Sequence, residues 1–192
     1  MKKLHYIFLF AFALLAASCD TDDDGFYNNV YADIPNLVAI DAHAPTYTVG
    51  EKLFLSADFS RYLSDGALLD IYKTTNATQF AFSYVIEKRN SASQWEVVSV
   101  NDSQLDIQKG IAQNGSYVYG ICQYNTIDET YEYRVGFPLL TAGTYRLSFG
   151  YNSDAKSIVE LRSLSSNGNL FLNINSAISG LDANGYYNFT VN

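Results

Sequence analysis

Phe80-Ala81-Phe82-Ser83-Tyr84-Val85-Ile86-Glu87 is the stretch on which the fold turns. Large apolar side chains occupy every second position from Phe80 to Ile86, while Ala81, Ser83 and Glu87 fall on the alternate positions. Successive side chains of a strand point to opposite faces, so this period sends one side of the segment into a core and leaves the other lighter and more polar. A helix would need apolar residues three and four apart, and the run lacks that spacing. One covered face beside one lighter face is the pattern of an antiparallel sheet.

Working outward, the same period recurs on both sides. Leu53-x-Leu55-x-Ala57-x-Phe59 precedes it, opened by the turn Val49-Gly50-Glu51. Trp95-x-Val97 and Val98-x-Val100 follow it, entered through Asn90-Ser91-Ala92-Ser93. Further runs at 117–124, 131–137, 145–151, 158–161, 170–174 and 187–191, with a weaker one at 37–40, bring the expectation to about ten strands. With no long helical period to cover a parallel sheet, the sequence predicts an all-β fold, an antiparallel β-sandwich. None of the three prolines lies in a Pro- or Gly-rich stretch in mid-chain, so residues 36–192 read as one domain.

Composition agrees with this and removes several functions. The 192 residues are 48% hydrophobic and only 17% charged, with 16 Tyr and 12 Phe, which suits half-buried pleated surfaces and excludes a disordered chain. Twelve basic residues against twenty acidic ones argue against nucleic acid as a partner, because its binders cluster Lys and Arg on phosphate. Two Cys and two His are too few for a disulfide framework or a Cys/His metal centre, and no cofactor motif is present.

The N-terminus carries an address. Lys2 and Lys3 precede an apolar run from Tyr6 to Leu15, long enough for a signal peptide and too short to span a membrane. Leu15-Ala16-Ala17-Ser18-Cys19 then resembles the bacterial lipobox, with Ala16 where a Leu is usual. That resemblance implies removal of residues 1–18 and lipidation of Cys19, leaving the membrane as a partner through the lipid. The following Asp20-Thr21-Asp22-Asp23-Asp24 resembles the export signal of Bacteroidota surface lipoproteins, which implies the outer membrane with the protein facing the cell exterior; in enterobacteria an Asp here instead resembles an inner-membrane retention signal. Residues 19–35 read as a hydrated acidic tether. A calcium-loop match beginning at Asp20 fails at its twelfth position, Tyr31, where a Glu is needed. Lipidation of Cys19 would leave Cys122 as the only thiol, and its apolar setting suggests a small buried hydrophobe.

Ala142-Gly143-Thr144-Tyr145-Arg146-Leu147-Ser148-Phe149 resembles the penultimate strand of immunoglobulin-like domains, where a Tyr hydroxyl bonds back across the corner and its second neighbour enters the core. About three strands follow it rather than one, so an immunoglobulin-like and a jelly-roll order both remain open.

Catalytic constellations are sparse. His43 is the only His after the signal, and no Ser lies in a G-x-S-x-G elbow. Paired carboxylates for glycoside hydrolysis could come only from Asp65, Asp70, Asp128, Glu129 and Glu132, mostly in turn-like segments, or from strand positions such as Glu87 and Glu96. The segment Gln123 to Tyr133 concentrates Tyr, Asn and acidic residues, the types that stack on sugars and hydrogen-bond their hydroxyls. Tyr124 and Tyr131 at its ends are the expected ligand contacts, with Tyr133; Trp95 reads as a core residue or a sugar platform. The expectation is a non-catalytic, lipid-anchored cell-surface binding or accessory protein whose ligand is a glycan or an envelope protein. A small surface glycoside hydrolase and a structural or adhesin subunit are the alternatives.

Overall fold

The computed structural model describes residues 28–150, 155–164 and 170–192. The expected signal peptide, Cys19 and the acidic tract lie outside the described residues. In chain order the strands are β1 (Asn28–Asp33), β2 (Val38–Ile40), β3 (Thr46–Tyr47), β4 (Lys52–Ser60), β5 (Tyr62–Asp65), β6 (Ala67–Asp70), β7 (Gln79–Arg89) and β8 (Trp95–Val97). They continue with β9 (Asp106–Lys109), β10 (Ile111–Asn114), β11 (Val118–Asn125), β12 (Thr130–Pro138), β13 (Gly143–Ser148), β14 (Ile158–Ser163), β15 (Leu170–Ala177) and β16 (Tyr187–Val191). Among the described residues one short α-helix, α1 (Ile71–Thr75), starts where the Asp70 side chain accepts the Lys73 N–H and stops at Asn76 in the left-handed region.

The fold is all-β and sandwich-like, and β7 is its hinge strand. Residues 79–84 of β7 pair with β11, and Ala81 and Phe80 with β14, in a sheet ordered β1-β15-β14-β7-β11-β12-β4-β2. Residues 85–89 turn into a second layer, pairing with β13 and β8, and β13 continues through β16 to β3. Phe80, Phe82, Tyr84 and Ile86 are all buried, as the period-two reading requires, but Ala81 and Ser83 are buried too, so this part of β7 is covered on both faces rather than one. Opposite them on β12, Tyr131, Tyr133, Val135 and Phe137 point the same way. The Phe82 and Tyr133 rings meet edge to face at 4.9 Å. β11 passes beneath them at Gly120, where a Cβ would lie 3.0 Å from the Tyr133 ring and 3.1 Å from Phe82. The buried Tyr84 and Tyr133 hydroxyls satisfy each other at 3.1 Å.

Three expectations change. The pairing is mixed, because β1 runs parallel to β15 and β16 parallel to β3. A parallel pair needs a long crossover, and here most of the chain supplies it. Among the described residues sixteen strands replace about ten: β3, β5, β6, β9 and β10 have two to four residues each, too few for alternation to register, and β1 falls in the expected tether. The segment 28–35, expected within the tether, joins the sheet: Ala32 and Ile34 are buried and the Ile34 N–H donates to the Asn175 carbonyl at 3.0 Å. The corner at Tyr145 forms as expected, its hydroxyl donating to the Thr141 carbonyl at 2.7 Å while Leu147 is buried. Cys122 is buried in the core, where burial pushes its thiol up in pKa.

Candidate functional site

The segment 123–133 is the β11–β12 hairpin. Its turn is held by Asn125, whose side-chain oxygen accepts the Ile127 N–H at 3.0 Å, and Glu129 takes the left-handed conformation that brings the chain back.

The hairpin does not present its tyrosines as the sequence suggested. Tyr131 is 0% and Tyr133 1% exposed, so both are core residues whose rings have no face for a ligand. The reason is the alternation of β12 itself, which aims 131 and 133 the same way as Val135 and Phe137. Tyr131 packs against Phe80 at 4.9 Å and donates its hydroxyl to the Ala77 carbonyl at 2.7 Å. Tyr124 is half-buried and stacks on Tyr72 at 4.6 Å. Trp95 is half-buried on β8, in the second layer, with the Arg146 guanidinium 4.3 Å from its ring. The four residues therefore belong to three environments.

Tyr124 borders an open groove of about 410 Å³ bounded by β9, β11 and β12, which it shares with Gln108, Lys109, Gln123, Asn125 and Glu132. Gly110 shapes one wall: its φ is +77°, and a Cβ there would sit 2.5 Å from the Ile121 carbonyl. Lys109 and Glu132 form an ion pair at 3.0 Å across the groove. Asn125 donates through one amide to Asp128 at 2.9 Å and to Glu132 at 3.2 Å. Arg134 holds Gln108 with one guanidinium nitrogen and Asp41 at 3.0 Å with another. Burial works to raise the Glu132 carboxyl, but donation from Lys109, Asn125 and Thr130 outweighs it and keeps the group below its ordinary range. The Lys109 ammonium is correspondingly raised by its bond to Glu132.

The remaining candidate acids are engaged elsewhere or lie on the rim. Asp70 takes Arg61 in a fork, at 3.1 Å from Nε and 2.5 Å from Nη2, and Glu129 takes Nη1 at 2.9 Å. Arg61 thereby joins the β5–β6 and β11–β12 hairpins, a role the sequence could not show because its partners are nine and sixty-eight residues away. Asp65 and His43 are exposed. Among the described residues no group of three or more His, Cys, Asp or Glu is placed to hold a metal ion, and no helix is long and apolar enough to cross a membrane. No protein-family model matches this chain, and no curated protein matches it.

Proposed function

We propose that this protein is a non-catalytic, lipid-anchored binding protein of the outer membrane, held on the cell surface through Cys19, and that its ligand is a glycan seated in the β9–β11–β12 groove. The observation that carries the ligand class is the groove's lining: amides from Gln108, Gln123 and Asn125, an ion pair, and the half-exposed ring of Tyr124. Such a surface offers donors and acceptors for hydroxyl groups and one apolar plate, and too little apolar area for a hydrophobic ligand.

Binding is favoured over hydrolysis by the state of Glu132. Asp128 and Glu132 converge on one amide of Asn125, yet Glu132 is held ionised by its donors, which is not the state of a general acid. The acid role would fall to Asp128, exposed on the turn. A protein ligand is the second reading, supported by Leu68 and Ile127, 76% and 89% exposed on the two hairpins that Arg61 joins.

A glycan array run with wild type and Tyr124→Ala, beside pull-down from solubilised envelope, tests the reading. Glycan binding lost in Tyr124→Ala supports it, and capture of one envelope protein through Leu68 and Ile127 with a blank array moves the ligand to the second reading. Blank results in both, with polysaccharide hydrolysis lost in Asp128→Asn or Glu132→Gln, replace binding with catalysis. For the anchor, a clickable fatty acid should label wild type and not Cys19→Ala; equal labelling removes it. Protease shaving of intact cells should digest the protein, and full protection would place it inside the envelope.

A further inference from the structure

A second groove lies in the other layer, where β13 meets the loop before β16. It encloses about 600 Å³ and is lined by Arg146, Lys156, Ser157, Asp182, Asn184 and Asn188, with Tyr186 between the two cations. The Arg146 guanidinium lies 4.1 Å from the Tyr186 ring centroid and 4.3 Å from that of Trp95. Its Nε donates to Glu87 at 2.6 Å, and among the described residues neither terminal nitrogen meets a carboxylate. The Lys156 ammonium sits 4.6 Å from the Tyr186 ring and donates to the Tyr186 hydroxyl, again with no described carboxylate in reach. In a chain with twenty acids against twelve bases, two cations facing one cavity with a single carboxylate between them stand out.

The opposite wall is built to accept. Asp182 Oδ1 accepts the N–H groups of Asn184 at 2.8 Å and Tyr186 at 3.0 Å, and Oδ2 accepts the Asn188 amide at 2.7 Å. These bonds, with a further contribution from the Gly185 N–H, lower the carboxyl's pKa and fix the loop that forms this side of the groove. The loop is held tightly against its neighbour at Gly185, whose φ is +79° and where a Cβ would lie 2.8 Å from the Lys156 Cβ. Across Asp182, Tyr186 and Asn188 the groove continues into a further depression of about 410 Å³ that reaches His43.

We propose that this groove binds an acidic sugar, with Arg146 and Lys156 on the carboxylate of a hexuronic acid unit and Asp182, Asn184 and Asn188 on its hydroxyls. The planar guanidinium offers paired N–H donors to a carboxylate, and the acceptor wall discriminates against a bare phosphate or an acidic peptide, neither of which has ring hydroxyls to donate. The site is separate from the Tyr124 groove and does not depend on its occupancy.

Isothermal titration of the full-length, detergent-solubilised protein with trigalacturonate, its methyl ester, triglucuronate, inorganic phosphate and hexaglutamate tests this. At least one free uronate should bind, with its affinity reduced tenfold or more in Arg146→Gln and in Lys156→Gln, falling further with added salt, and unchanged in Tyr124→Ala. Lys156 is exposed, so its variant keeps the test open if Arg146→Gln folds poorly. Equal affinity for the acid and its ester, no uronate binding at millimolar concentration, wild-type affinity in Lys156→Gln, or equal binding of phosphate or hexaglutamate each overturns the proposal. Loss of uronate binding in Tyr124→Ala alone would assign the ligand to the first groove, upholding the general reading and overturning this one.

Discussion

Arg61 lies 4.8 Å from the Tyr62 ring and 5.2 Å from Tyr72, while Arg146 lies 4.3 Å from Trp95 and 4.1 Å from Tyr186. Each guanidinium is flanked by two aromatic rings and each side chain is 18% exposed. The difference is in the carboxylates. Arg61 gives Nε, Nη1 and Nη2 to two acids and ties two hairpins together, whereas Arg146 gives only Nε to Glu87 and lines a cavity. Ring contacts orient a guanidinium, and the unused donors decide whether it serves structure or recognition.

The comparison breaks most visibly at the residues that support each arginine. Tyr131 lies under the Arg61 cluster, 5.0 Å from Tyr124, so Tyr131→Ala should cost about 3–5 kcal/mol in denaturant unfolding. Tyr131→Phe should cost about 1–2 kcal/mol, because the buried Ala77 carbonyl loses its donor. Tyr186→Ala should cost less than about 1 kcal/mol by the same measurement. Similar costs on both sides would remove the distinction between a packed support and an open one.

Replacing the arginines themselves gives a smaller contrast. Arg61→Ala leaves Asp70 and Glu129 without their shared cation and should lower the Tm by several degrees, more than Arg146→Ala, which strands Glu87 alone. Reversed ordering in thermal unfolding would refute the assignment of Arg61 as the structural member.

Acid should act on the Arg61 side. Hydrogen bonding to Arg61 first, then the Lys73 N–H, holds the Asp70 carboxyl below its ordinary 3.8 against the opposing effect of burial. A carboxyl depressed on folding stabilises fully above its unfolded pKa, and that contribution fades as pH falls through the lower folded value. Stability should therefore decline as pH drops below about 4, and Asp70→Asn should flatten that limb relative to wild type. An unchanged acid limb in the variant would show that Asp70 is not coupled to folding.

The mildest probe is Cys122, which pairs in register with Phe80 beside Tyr131. Its thiol should resist alkylation in the native wild type and in Lys156→Gln, and label faster in Arg61→Ala, followed by mass shift. Equal labelling in all three would mean that opening near Arg61 is not controlled by Arg61.

Much of this architecture is legible in side-chain period alone. The alternation of Phe80 to Ile86 marks β7, and the Gly143-Thr144-Tyr145 corner marks β13, because both signals are local. The same alternation, carried from Phe137 back to Tyr131, would have placed both hairpin tyrosines inward; the cluster of polar neighbours at 125–130 obscured it. β1 was hidden because four of its first residues are exposed and its partner is β15, beyond the reach of any local pattern. The Arg146 groove was hidden for the same reason: β7–β13 and β13–β16 pairing bring together residues from 87 to 188 that share no motif.

The parallel pairs also set the order in which a chain can fold as it emerges. β1 waits for Leu170 and its neighbours, and β3 cannot be flanked until residues 190–191 arrive. A chain released N-terminus first must keep β1 and β3 without these partners until nearly the whole of 28–192 is out, so assembly follows release of the full segment and is slow by the measure of contact order. During that interval the earliest segment, whose Val30 and Tyr31 stay exposed even in the folded protein, remains open to contact with other chains.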